Sequence, residues 1–204
     1  MITIMTMMLL YFSQARSIWI AFLMFLITYK TIGRIHSSKI IGYIYFLIFI
    51  TSVLLFTFLY PYSSNFRYFN DLNVALIKYT GKTLFSGREV VWVNNIELIK
   101  ENWLLGFSFS SVVQNDAGFL LSAHNLYLEI MSQVGLLGFL FFLLVLFKIW
   151  GRALALGESR GKFLGATLIA ILVHQVFEVT WTQNNLAIGI IQWLLIIIGF
   201  NRIK

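Results

Sequence analysis

Five windows of mainly apolar residues divide this sequence, each close to the roughly 20 residues a helix needs to cross the hydrocarbon core of a bilayer. They cover residues 8–29, 40–60, 126–147, 163–181 and 182–200. The last is the shortest: its apolar part is 186–200, and 182–185 are needed to complete it. Residues 61–125, between the second and third windows, match no span. The pattern predicts an all-α integral membrane protein with about five transmembrane helices and one large loop outside the membrane, in a single membrane domain over 1–204. Composition supports a lipid-facing surface, with 59% hydrophobic and 11% charged residues; about one quarter of a soluble domain is charged. Cysteine is absent, which excludes disulfides, thiolate catalysis and zinc–thiolate sites.

The net charge is +7, yet the basic residues sit in short gaps between apolar runs and not along one polar face, so nucleic acid is not an expected partner. Lys30, Arg34 and Lys39 follow the first window. Lys148, Arg152, Arg160 and Lys162 follow the third, and Arg202 and Lys204 end the chain. The 61–125 loop instead balances Arg67, Lys78, Lys82, Arg88 and Lys100 against Asp71, Glu89, Glu97, Glu101 and Asp116, and Thr182 to Asn185 carry no charge. The positive-inside bias then places the C-terminus in the cytoplasm and the large loop outside. Five spans would put the N-terminus outside as well. A chain that begins Met-Ile-Thr-Ile-Met is an unusual start for that topology, and it reads as the C-terminal part of a longer membrane protein; the alternative is that Met1 to Leu10 simply begin a span.

Within the loop, residues 88–105 read as an amphipathic helix lying on the membrane, with Trp92, Ile96, Ile99 and Trp103 recurring on one face. Packing of that face on other spans is the alternative. A polar run at 108–116 leads to Ser122-Ala123-His124-Asn125-Leu126-Tyr127-Leu128-Glu129, where the third window enters the membrane. A neutral His124 at that junction can accept a proton, as a general base must. A simple capping or interface hydrogen bond is the alternative use of a lone histidine there.

Arg16 lies inside the first window, 13 residues before Tyr29, or about 20 Å along a helix. An arginine in lipid is expensive unless it faces a polar cavity or snorkels to the headgroups, so it is a functional candidate. His174 and Glu178, four apart in the fourth window, would share a helix face, either as cavity-lining groups or as a structural ion pair. Arg88 follows Ser86-Gly87 in the loop, and a guanidinium fork binds phosphate oxygens bidentately. Two fixed cations and one titratable base suit a phosphate-linked donor and a hydroxyl acceptor. No glycine-rich phosphate loop, HExxH or metal-spaced carboxylate pair is present, so no cofactor and no metal are expected.

These residues resemble the O-antigen ligase / O-antigen polymerase superfamily of bacterial envelope polysaccharide synthesis. Ser13-Gln-Ala-Arg16-Ser-Ile-Trp19 is similar to its membrane Ser-Arg element. Ser86-Gly87-Arg88 with Trp92 is similar to its Gly-Arg-x3-Trp element. His124-Asn125-x-Tyr127-Leu128-Glu129 with Gly135-Leu-Leu-Gly138 is similar to its histidine signature. Where the family has Pro-Leu-x-Gly-x-Gly, this chain has Trp103-Leu-Leu-Gly106-Phe-Ser108, lacking the proline and the second glycine; family members also carry more spans before the Ser-Arg helix. The resemblance implies inverting, metal-independent transfer of a glycan from undecaprenyl pyrophosphate to an acceptor hydroxyl, outside a bacterial inner membrane. The acceptor is another lipid-linked repeat in a polymerase, the preferred reading here, and a lipid–core sugar in a ligase. His124, Arg88 and Arg16 would be catalytic. Arg16, Arg88, Asn125, Tyr127 and Glu178 would bind substrate, and a separate chain would supply missing spans. The competing expectations are a transporter or channel fragment using Arg16, His174 and Glu178, and a non-catalytic membrane partner. Neither internal repeats nor paired broken spans favour a transporter.

Overall fold

The computed structural model describes residues 16–35, 38–81, 83, 87–107, 113–114, 120–156, 158–182 and 186–200. Seven helices follow in order: α1 (Arg16–Ile35), α2 (Lys39–Leu59), α3 (Arg67–Thr80), α4 (Arg88–Glu101), α5 (Leu126–Ala155), α6 (Glu158–His174) and α7 (Leu186–Phe200). A 3-10 turn, Tyr60–Asn65, joins α2 to α3. Two two-residue strands, β1 (Val113–Gln114) and β2 (Leu120–Leu121), pair antiparallel. Ser13 to Ala15, Ser86, the 108–112 and 115–119 parts of the polar run, 183–185, Arg202 and Lys204 lie outside the described residues.

Among the described residues, three helical stretches are long and apolar enough to cross a membrane: Arg16–Gly33, Lys39–Ser63 and Leu126–Ala155. At most a third of each such window is buried, and large apolar side chains such as Ile40 (73% exposed) and Phe141 (69%) point outward. Only lipid makes that surface stable, because an aqueous surface of contiguous apolar side chains aggregates. The protein is therefore a membrane protein. Helices α6 and α7, with 17 and 15 residues, are about 26 and 22 Å long, short of the roughly 30 Å core. The sequence window for α6 places its boundaries elsewhere: 163–181 starts five residues after the helix start and runs seven residues past the helix end.

The chain divides into two compact units, residues 1–47 with 146–204, and residues 48–145. In the first unit α1 packs along α6, and α7 against α6. Trp150 anchors it: fully buried, its ring stacks on Phe46 at 4.9 Å and its Nε1 donates to the Gly42 carbonyl at 2.9 Å. The Thr28 hydroxyl and the Tyr45 phenol are 2.8 Å apart, linking α1 to α2; such polar links hold helices together where lipid removes the hydrophobic drive. Helix α6 stops at His174 because the next side chain captures the backbone beyond it. Gln175 Oε1 accepts from Thr180 N at 3.1 Å, while its Nε2 donates to Thr180 Oγ1 and to Gln192 Oε1 on α7. Glu178 sits past the helix end, yet its backbone N still donates to the His174 carbonyl at 3.1 Å and the two side chains interact electrostatically.

In the second unit the principal event is a break in α5. Gly135 has φ +62° and ψ −169°, a conformation essentially confined to glycine. A break orphans helical N–H and C=O groups, and the segment after α4 supplies the partners. Phe107 N donates to Ser132 O at 2.8 Å, Leu136 N to Trp103 O at 2.8 Å, and Leu137 N to Leu104 O at 3.3 Å. Gly106, also left-handed with φ +73°, meets this break so closely that a Cβ would lie 2.5 Å from the Gln133 carbonyl carbon. The break separates two characters. Leu126, Tyr127, Leu128, Glu129, Ser132 and Gln133 before it are all buried, whereas Leu137, Leu140, Phe141 and Leu144 after it are exposed. Leu136–Ala155 is 20 residues, about 30 Å, and can span alone.

The loop helix departs from its expected form. It ends at Glu101, not residue 105, because Asn102 Nδ2 donates to Gly106 O at 2.6 Å and Gly106 N returns a bond to Asn102 O at 2.9 Å, closing a turn. Trp103 leaves the expected face and is 55% exposed, while Trp92, Ile96 and Ile99 are buried in protein. The helix with an open apolar face is α3, where Tyr68, Phe69, Leu72 and Tyr79 line one side and all are exposed.

Candidate functional site

The second unit assembles the histidine junction from three elements. Trp92 lies one turn after Arg88 on α4, on the same face. Its indole is fully buried, edge-on to Tyr60 at 5.3 Å and to Phe56 at 6.3 Å. Its Nε1 donates to the Ala123 carbonyl at 2.7 Å. That bond ties the Gly87-Arg88-x3-Trp92 turn to the residue preceding His124. Gly87, with φ +80°, turns the chain into α4 and puts Arg88 at its first position, half-buried at the helix start.

Asn125 holds the other flank. It is fully buried, and its Oδ1 accepts from Tyr127 N at 3.0 Å and Leu128 N at 3.1 Å, a helix N-cap that satisfies two free amides. Its Nδ2 points to Thr57 Oγ1 at 3.4 Å. Between these fixed flanks, His124 is exposed and has a left-handed φ of +46°. A non-glycine residue there costs of order 1–3 kcal/mol, persists only where the surroundings impose it, and tends to mark a working site. Ser122 Oγ helps by accepting from His124 N at 3.2 Å. The imidazole is thus presented to solvent on a backbone that both neighbours lock.

Asn125 and Tyr127 were expected to touch substrate. Both are fully buried, and Asn125 has its carboxamide oxygen engaged in capping. Arg88 and His124 belong to one unit, whereas Arg16, at the start of the described part of α1, and Glu178, beyond α6, belong to the other. Helix α1 runs to Ile35, six residues beyond the expected end at Tyr29. Arg16 is therefore about 28 Å from the basic end of its helix instead of about 20 Å, close to the full depth of the bilayer core.

Sequence reasoning missed Glu129 as a site neighbour. It is buried, its Oε1 accepts from Gln133 Nε2 at 3.2 Å, and it interacts electrostatically with His124. Its position five residues after His124, in a buried helical turn, was the available signal. Outside the spans, the exposed Lys100 ammonium lies 2.6 Å from Glu97 Oε1, which raises its pKa from the ordinary lysine value. Among the described residues, no three His, Asp or Glu side chains gather as a metal site requires.

The Trp92–Ala123 bond gives a direct prediction. Trp92→Phe keeps most of the ring packing but leaves a buried carbonyl unsatisfied, which costs about 1–3 kcal/mol. The expected result is a protein that still inserts, melts lower in detergent, and loses activity more than the Tyr60→Phe control. Unchanged activity in Trp92→Phe would show that this bond does not position the histidine.

A family model described as O-antigen ligase matches residues 1–143, which include Arg16, Arg88, Trp92, His124 and the Gly135 break and exclude His174 and Glu178. No curated protein and no solved structure matches the chain.

Proposed function

This chain belongs to the O-antigen ligase family, and from that premise we propose that it transfers a glycan from undecaprenyl pyrophosphate to an acceptor hydroxyl, with a second lipid-linked repeat as the acceptor. The observation that carries the site assignment is the exposed, left-handed His124, clamped between the Trp92-bound Ala123 carbonyl and the Asn125 helix cap. The acceptor hydroxyl attacks the anomeric carbon from the face opposite the pyrophosphate. The new C–O bond forms as the bond from that carbon to the pyrophosphate oxygen breaks, which inverts the centre. His124 takes the hydroxyl proton. Negative charge grows on the departing pyrophosphate, and Arg88 and Arg16 are assigned to stabilise it, since preset cations stabilise charge that develops in the transition state. These roles need no metal or cofactor. Asn125 and Tyr127 are reassigned from substrate binding to holding the backbone that presents His124.

The reading extends to the membrane. Residues 61–125 form the outer loop of a bacterial inner-membrane protein with five spans and a cytoplasmic C-terminus, the side carrying Lys30, Arg160 and Lys162. The open apolar face of α3, which leaves α2 after one short turn, rests in the headgroup layer, as amphipathic helices do.

Deleting the gene and sizing the surface glycan tests the acceptor. Loss of polymer with single repeats still attached supports the polymerase reading. Accumulation of free lipid-linked polymer shows that the acceptor is a lipid–core sugar. Wild-type glycan in the deletion strain overturns both.

A further inference from the structure

A second site lies in the first unit, away from the residues assigned to glycan transfer. A groove of about 340 Å³ opens between the end of α1, the start of α6 and the end of α7. Its two ends differ in chemistry. Tyr29, Ser159 and Arg160 make the polar end, and Ser159 and Arg160 are the second and third residues of α6. Backbone N–H groups at that position have no helical acceptor, and the helix dipole is positive there. Lys162 does not line the groove; its side chain lies over Gly33, which leaves Arg160 as the cation in the lining.

The rest of the groove is apolar. Phe163, one turn on from Ser159, continues into Leu195 and Ile198 on α7. All three are exposed, at 48%, 41% and 54%. Phe25 stiffens the wall, stacking on Tyr29 at 6.0 Å and meeting Phe163 edge-on at 6.1 Å. The ligand that fits is an amphiphile with an anionic head and an apolar tail. Free phosphate would use only the polar end.

We propose that this groove is a binding site for an anionic phospholipid, whose phosphate sits against Arg160, Ser159 and Tyr29 and whose acyl chain lies on Phe163, Leu195 and Ile198. One cation near an anionic lipid is worth about 1 kcal/mol, or roughly fivefold in occupancy.

The test is native mass spectrometry of the full chain in detergent, titrated with phosphatidylglycerol, phosphatidylcholine or inorganic phosphate. The expected result is one retained phosphatidylglycerol, favoured over phosphatidylcholine by about fivefold or more. Arg160→Gln should abolish that preference. Arg152→Gln, an exposed basic residue that does not line the groove, should leave it intact. Should Arg160→Gln fail to insert, Ser159→Asp, which sets a carboxylate beside the phosphate and offsets the Arg160 charge, carries the same expectation. Equal retention of the two lipids, or a preference that survives these changes, overturns the proposal. So does displacement of the lipid by inorganic phosphate at matched concentration, which would make the polar end a free-phosphate site.

Discussion

A chromosomal His124→Asn allele should abolish surface polymer while the protein inserts and accumulates normally. Asparagine is the informative substitution because of the backbone. His124 has φ +46°, and asparagine is among the few residues that enter the left-handed region readily. It keeps a polar side chain at the junction but cannot take a proton from a hydroxyl. In proteoliposomes given lipid-linked glycan, removal of a general base should lower turnover about 10²- to 10⁴-fold, with a melting temperature close to that of the unaltered protein. His124→Ala should lose as much turnover and melt lower, since alanine resists the left-handed conformation. The two variants together separate chemistry from folding. Near-normal polymer in the asparagine allele would remove His124 from the mechanism and leave its strained backbone as a purely structural feature.

The membrane character of this chain was open to reading because lipid imposes a length and a composition that the sequence carries openly. Helix ends were less legible, since they are set by single side-chain bonds to the backbone. Gln175 stops α6 by capturing Thr180 N, and Asn102 stops α4 through Gly106; neither residue has a strong stop signal of its own. Helix α3 falls within the expected loop although Tyr68, Phe69, Leu72, Leu76 and Tyr79 follow a helical period, because its polar half dilutes the apolar signal below that of a span. At the site, motif order picked out Arg88, Trp92 and His124, and the structure gives the physical link between the last two. The burial of Asn125 and Tyr127 is not legible in the sequence, because adjacency to a candidate histidine does not reveal burial: a polar side chain beside a helix start is as readily a cap as a contact.

The break at Gly135 sustains the second large prediction, because two different penalties coincide there. The first is conformational. With φ +62° and ψ −169°, any side chain costs of order 1–3 kcal/mol. The second is steric: a Cβ would lie 2.5 Å from Leu105 N and closer still to the Leu104 carbonyl, both backbone atoms that cannot rotate away. Relieving that clash would pull the Trp103–Phe107 strap off α5 and release the three hydrogen bonds that fill the break. Gly81 is the natural comparison. It too is left-handed, with φ +66° and ψ 7°, but nothing lies within 4 Å of its would-be Cβ, so only the left-handed penalty of about 1–2 kcal/mol applies. Gly135→Ala should therefore destabilise by more than about 3 kcal/mol, lowering the detergent melting temperature by roughly 6–12 °C at about 2–4 °C per kcal/mol for a chain of this size. Gly81→Ala should shift it by no more than roughly 2–8 °C on the same scale. Because the buried turn carrying Glu129 and the Asn125 cap hangs from the same break, Gly135→Ala should also reduce polymer, and Gly81→Ala should not. Equal melting shifts for the two variants would mean that the strap and α5 separate freely. The His124 junction would then owe its geometry to Trp92 and Asn125 alone.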